Sequence, residues 1–190
     1  MNRITLKEFF NIPNCLCYFR IVLIPVFFIF YFQADGQMDY YISAIILVIS
    51  GFTDFLDGFI ARRFNMITDF GKLIDPIADK LTQFSVAVAL IYTYSWMWLL
   101  VAIIFVKDAM LALASLYLYE KGEKIRGASW WGKVSTAFFD VIVVMLIGLH
   151  IPDSIVPAVL ILICSILMFL SLILYAKQLY EMIKGTRVHG

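Results

Sequence analysis

The sequence predicts an all-α fold: a polytopic membrane protein with six transmembrane helices preceded by an N-terminal interfacial helix. Hydrophobic residues make up 63% of the chain and charged residues 15%, and the mean hydropathy is +0.90. Soluble domains are far less apolar. Apolar runs approaching the roughly 20 residues that cross a bilayer recur along the chain. Lysine and arginine are concentrated in alternate loops between these runs.

The first residues predict a short helix along the membrane interface. Thr5 and Glu8 have the spacing of a capping box, and Ile4 and Phe9 that of a hydrophobic staple. The alternative is a frayed terminus. The basic residues ahead of the first apolar run resemble a signal peptide, but no small-residue cleavage site follows Phe32. The run is therefore predicted to be retained.

Six apolar segments are predicted to span the membrane: Cys17–Phe32, Tyr41–Ile60, Ile74–Tyr92, Met97–Tyr119, Val134–Leu149 and Ile155–Ala176. They divide the chain into a juxtamembrane segment (1–16), a six-helix bundle (17–176) and a cytoplasmic tail (177–190). At 190 residues the chain is predicted to be a single membrane domain.

The positions of the charges predict the orientation and limit the partners. Gln33–Tyr40, Thr93–Trp96 and His150–Asp153 contain no lysine or arginine, so the positive-inside rule places both termini in the cytoplasm. The near-neutral balance, 15 basic against 14 acidic residues, excludes a global basic field for nucleic acid. Three cysteines and two distant histidines predict neither a disulfide framework nor a zinc site. The expected surroundings are membrane lipids.

Four aspartates interrupt the second and third apolar segments near their cytoplasmic ends. Asp54 and Asp57 are three residues apart and Asp75 and Asp79 four apart, so each pair shares one face of a helix. Carboxylates so close together resist ionisation unless cations neutralise them. Oxygen ligands without histidine or cysteine favour Mg²⁺ or Mn²⁺ over zinc. The pattern predicts a divalent metal site.

The acids have two other interpretations. Solvated loop charges explain Asp69, which lies between the two pairs. An ion or proton pathway is the alternative from another functional class, since ionisable residues inside membranes are functional by default. No inverted repeat of the kind found in transporters is visible in the sequence.

The residues after the first pair indicate phosphate binding. Gly58 removes a side chain where a ligand could approach the helix, and Ala61 keeps the same face shallow. Arg62, one turn further on, can make bidentate contacts with phosphate oxygens.

Together these residues form Asp54-x-x-Asp57-Gly58-x-x-Ala61-Arg62, eight residues, then Gly71-x-x-x-Asp75-x-x-x-Asp79. This pattern resembles the signature of the CDP-alcohol phosphotransferase family. The resemblance implies six membrane helices with an interfacial helix and a homodimer. It also implies transfer of a phosphatidyl group from CDP-diacylglycerol to an alcohol, with release of CMP.

The resemblance also implies roles for individual residues. The metal ligands would be Asp54, Asp57, Asp75 and Asp79, and Asp79 would also be the general base. The CDP-lipid would be bound by Asn14, Arg20, Gly58, Ala61, Arg62, Thr68 and Gly71. Asn14 and Arg20 match a family Asn-x-x-Thr-x-x-Arg pattern in which Cys17 replaces the threonine.

The acceptor alcohol is predicted from the cations of the fourth and fifth spans. Lys107, Lys133 and Arg126 would form a phosphate pocket for an acceptor such as glycerol 3-phosphate. Alternatively, Lys107 pairs with Asp108 or Asp140 within the bundle, or Lys133 extends to the interface.

Two segments, Asn11-Ile-Pro-Asn14 and Gly132-Lys133-Val-Ser-Thr, resemble phosphatidylglycerophosphate synthases. The fourth span resembles the cardiolipin synthases of the same family, whose acceptor is phosphatidylglycerol. Glycerol 3-phosphate is the preferred acceptor, in a bacterial cell membrane with the active site facing the cytoplasm.

Overall fold

The computed structural model describes residues 9–68, 70–120 and 130–188. Six helices are described: α1 (Ile12–Phe32), α2 (Gln37–Arg63), α3 (Gly71–Ile91), α4 (Met97–Glu120), α5 (Trp130–Leu149) and α6 (Ile155–Val188). No strand occurs within these ranges, so the all-α prediction is confirmed. Thr5 and Glu8 of the predicted interfacial helix, together with Arg126 and Asp69, lie outside the described residues.

Five of these helices contain segments long and apolar enough to cross a bilayer: Ile12–Phe32, Gln37–Arg63, Met97–Ala114, Trp130–Leu149 and Ile155–Met182. These segments identify a polytopic membrane protein, as predicted. Helix α3 is long enough, but its first half carries Lys72, Asp75, Asp79 and Lys80. Because of these charged residues, α3 is not among the helices that are apolar enough to cross a bilayer. The count of six spans therefore stays a prediction.

Helix α1 begins at Ile12, five residues before the predicted start of the first span at Cys17. The Asn11 side chain caps it by accepting a hydrogen bond from the Ile12 amide at 2.9 Å. Pro13 fits into the first turn, where its missing N–H would have no helical partner. Polar capping residues lengthen the helix beyond the apolar run that predicted it.

Helix α6 extends beyond the apolar run that predicted the sixth span. Residues 177–188 continue the last helix without a break to Val188, and their assignment to a cytoplasmic tail stays a prediction. Lysines and a glutamate lower the hydropathy of this stretch but are good helix formers. Hydropathy located the end of the apolar run rather than the end of the helix.

The chain between α2 and α3 turns sharply at Asn65. Its φ is +52°, and the amide of Met66 donates to the Ala61 carbonyl at 2.9 Å. This is a Schellman ending, in which asparagine tolerates the left-handed conformation. The side-chain amide of Asn11 donates to the Met66 carbonyl at 2.9 Å, which connects the start of α1 to this turn.

The described residues form two compact units. The first lies within Met1–Ala89 and Val144–Ile151, and the second lies within Leu90–Val143 and Pro152–Gly190. In the first unit, α1 packs against α2. The side-chain amide of Gln37 donates to the Gly148 carbonyl at 2.7 Å, and the Tyr40 and His150 rings stack with centroids 3.6 Å apart. The prediction of a single domain stays a prediction.

In the second unit, α4 packs against α6. Gly132 makes an especially close approach, because a Cβ there would lie 2.7 Å from the Tyr175 ring carbon that carries the hydroxyl. Alanine does not fit at this position without displacing Tyr175. Lys107, only 3% exposed, also lies in this unit.

Candidate active site

Three polar residues mark one face of α1. Asn14, Cys17 and Arg20 are spaced three apart, and each is 2% exposed. On α2, Asp57 is buried at 3% exposure. Such residues are costly inside a candidate span unless they are paired or functional, so the contacts of this face define the site.

The four predicted aspartates converge on Arg20. Its Nη2 lies 2.9 Å from Asp54 Oδ1 and 2.5 Å from Asp57 Oδ2. Its Nη1 lies 3.7 Å from Asp75 Oδ1 and forms an ion pair with Asp79. The structure brings the two pairs of acids together, and a guanidinium lies among them.

The acids form two overlapping groups of potential metal ligands. The ligand atoms of Asp54, Asp75 and Asp79 lie within 4.8 Å of one another, and so do those of Cys17, Asp57 and Asp75. The side chains of Asp54, Asp75 and Asp79 are 47%, 44% and 46% exposed, so an ion can reach them from outside. An all-oxygen, accessible group fits a hard divalent cation.

Cys17 contacts the second group of acids through its thiol. The Cys17 Sγ lies 3.4 Å from Asp57 Oδ2 and 3.9 Å from Asp75 Oδ1. The thiol is a weak donor to both carboxylates. A small S–H donor thus occupies the position where the family pattern has a hydroxyl donor.

A cleft opens beside the acids, and most of the residues predicted to bind the CDP-lipid line it. Asp57 and Asp75 form one part of its wall, and the lining also includes Asn14, Gly58, Ala61, Thr68 and Gly71. Of the two remaining predicted residues, Arg20 lies among the acids and Arg62 is exposed. The structure therefore brings five of the seven into one cleft.

Thr68 connects three parts of the cleft. Its Oγ1 accepts from the Gly71 amide at 3.0 Å and from the Asn14 side-chain amide at 3.3 Å. The Thr68 carbonyl accepts from the Lys72 amide at 3.1 Å, so Thr68 caps the entry to α3. One hydroxyl therefore fixes the loop, the start of α3 and the Asn14 side chain.

Gly58 and Gly71 serve different purposes in this cleft. A Cβ on Gly71 would lie 2.7 Å from Asn14 Oδ1, so the packing of the protein itself excludes a side chain. A Cβ on Gly58 would meet the Arg62 guanidinium at 3.5 Å, an ordinary contact. Packing leaves room at Gly58, which favours a ligand as the reason for that glycine.

Two of the three predicted acceptor residues, Lys107 and Lys133, lie in the second unit, and Arg126 lies outside the described residues. Lys107 Nζ is 3.4 Å from Met168 Sδ, and Lys133 is exposed on α5. Lys72 also lines the cleft and directly follows the motif residue Gly71, although the motif did not predict a role for it. The contact of Arg20 with the acids joins residues up to 59 positions apart, so no local sequence pattern predicts it.

Similarity to known proteins identifies the family of the chain. Proteins named CDP-diacylglycerol–glycerol-3-phosphate 3-phosphatidyltransferase are similar to the chain. The one from Haemophilus influenzae is 35% identical over 67% of this chain and 70% of its own length. Those from Salmonella paratyphi A and Escherichia coli K12 are 38% and 36% identical over 67% of this chain and 71% of theirs. The CDP-alcohol phosphatidyltransferase family model matches residues 10–176, and the chain belongs to that family.

Proposed function

We propose that this protein transfers the phosphatidyl group of CDP-diacylglycerol to glycerol 3-phosphate, giving phosphatidylglycerophosphate and CMP. The observation that carries the proposal is the convergence of four motif aspartates beside a cleft lined by five residues expected to bind the nucleotide. The names of the similar proteins support glycerol 3-phosphate as the acceptor.

The acids would hold Mg²⁺ or Mn²⁺. Asp54, Asp75 and Asp79 offer one group of oxygens, and Asp57 joins Asp75 in the other. When bound, a divalent ion supplies neutralisation of the diphosphate charge and of the charge that develops on the departing CMP.

The cleft residues would bind and orient the donor. Asn14 and Thr68 present polar groups, Gly58 and Ala61 leave space along α2, and Lys72 adds a cation to the lining. The acyl chains would remain in the bilayer while the nucleotide occupies the cleft. The lipid therefore need not be extracted from the membrane.

The chemical step is an in-line displacement at the phosphorus that carries the lipid. The acceptor oxygen forms a bond to this phosphorus, and the bond to the CMP oxygen breaks. Asp79, as general base, takes the proton of the acceptor hydroxyl. Its carboxyl group is 46% exposed, so an acceptor can reach it.

The site would face the cytoplasm, with both termini on the same side, as the positive-inside rule predicts. The proposed assembly is a homodimer in a bacterial cell membrane. These features rest on loop charge and on membership of the family.

The acceptor identity can be tested by CMP release. Purified protein with CDP-diacylglycerol and Mg²⁺ should release CMP when glycerol 3-phosphate is added. Faster release with phosphatidylglycerol would instead identify a cardiolipin synthase. Absence of CMP with every acceptor would contradict the transferase and favour an ion or proton pathway.

The proposed acceptor pocket includes Lys107, Lys133 and Arg126. Replacing Lys107 or Lys133 by alanine should raise the KM for glycerol 3-phosphate about tenfold, because one charge-assisted contact contributes roughly 1.5 kcal/mol. The KM for CDP-diacylglycerol should change much less.

Lys177→Ala is the matched control, since Lys177 is an exposed lysine of α6 outside the proposed pocket. It should leave both KM values unchanged. An unaltered acceptor KM in the Lys107 and Lys133 variants would assign these lysines to packing or to the membrane interface.

A further inference from the structure

Arg20 is a buried cation at the centre of the acidic cluster. Its side chain is 2% exposed, although it lies within a candidate membrane span. Its two terminal nitrogens contact one oxygen from each of the four aspartates. A buried guanidinium requires compensation of this kind, so the acids and Arg20 stabilise one another.

The guanidinium and a metal ion would draw on the same carboxylates. Asp54, Asp75 and Asp79 bring their ligand atoms within 4.8 Å of one another, and Arg20 contacts one oxygen of each. Each carboxylate has lone pairs for further partners. A divalent cation placed near the guanidinium would nevertheless be repelled by a charge of like sign.

The charges of the cluster require a counter-ion. Four aspartate carboxyl groups contact one guanidinium, that of Arg20. Without that cation, the carboxylates would repel one another in a partly buried site. Arg20 therefore lowers the repulsion that would otherwise separate α2 from α3.

We propose that Arg20 is a built-in counter-ion that holds the metal-free cluster together and competes with the divalent cation for its carboxylates. This inference rests on the metal site of the proposed function. With a divalent ion bound, the guanidinium would give up part of its ion pairs with these carboxylates.

The test is a titration of chelator-treated, detergent-purified protein with Mn²⁺. Arg20→Met should bind Mn²⁺ at least tenfold more tightly than wild type, a difference of about 1.4 kcal/mol. Its thermal unfolding midpoint without metal should be lower than that of wild type, and saturating Mn²⁺ should reduce the difference. Arg63→Met, which removes an exposed arginine at the end of α2, should match wild type in both measurements.

Each outcome has a defined meaning. Unchanged or weaker Mn²⁺ binding by Arg20→Met would overturn the inference, because Arg20 would then not compete with the metal. Its role would be to orient the acids or to bind substrate. Absence of Mn²⁺ binding by both proteins would overturn the metal site of the proposed function as well. If Arg20→Met does not fold without metal, Arg20→Lys provides the measurement. The compact ammonium group of lysine cannot reach all four carboxylates. The Arg20→Lys variant should therefore also bind Mn²⁺ more tightly than wild type. Unchanged affinity would overturn the inference.

Discussion

Replacing Asp79 by asparagine should lower the turnover number by about 10²- to 10⁴-fold, the range expected when a general base is removed. An amide has nearly the shape of the carboxylate but cannot accept the proton of the acceptor hydroxyl. Asp54, Asp57 and Asp75 would still offer metal ligands, so CDP-diacylglycerol should still bind when excess Mg²⁺ compensates for the lost ligand. Turnover and binding of the donor lipid should both be measured.

Asp54→Asn is the matched control. Asp54 belongs to the same ligand group, contacts Arg20 as Asp79 does, and is almost equally exposed, at 47% against 46%. Loss of the Asp54 carboxylate should weaken metal binding, so excess Mg²⁺ should restore much of the turnover of Asp54→Asn. The same excess should not restore Asp79→Asn, because the missing group is a base. Near-wild-type turnover of Asp79→Asn would contradict the assignment.

The acidic cluster was predictable because its information is local. Asp54 and Asp57 share a helix face by spacing alone, as do Asp75 and Asp79. Short connections and hydropathy then put the two pairs at one level. The structure confirms the convergence through contacts of all four acids with Arg20.

Arg20 shows what local spacing cannot supply. The family pattern places it with the nucleotide, whereas in this structure its guanidinium contacts the acids. That contact spans 37 residues to Asp57 and depends on how α1 packs. Hydropathy also located the apolar runs but not the start of α1 at Ile12 or the end of α6 at Val188, because caps and polar helix formers determine those ends.

Gly71→Ala should raise the KM for CDP-diacylglycerol by roughly tenfold or more, because the added methyl would lie 2.7 Å from Asn14 Oδ1 and 3.0 Å from Thr68 Oγ1. Overpacking of this kind costs about 1–3 kcal/mol. The Asn14 side chain can relieve it only by moving away from the Thr68 hydroxyl. Gly71→Ala should therefore weaken mainly the binding of CDP-diacylglycerol.

Gly51→Ala is the matched control, since Gly51 lies within α2 and nothing stands within 4 Å of a Cβ there. It should leave the donor KM unchanged. A double-mutant cycle tests the mechanism. If Gly71→Ala acts by displacing Asn14, adding it to Asn14→Ala should raise the donor KM little further. If the two substitutions instead have fully additive effects on the donor KM, the methyl group disturbs the cleft through Thr68 and the start of α3. Displacement of Asn14 would then not explain the effect of Gly71→Ala.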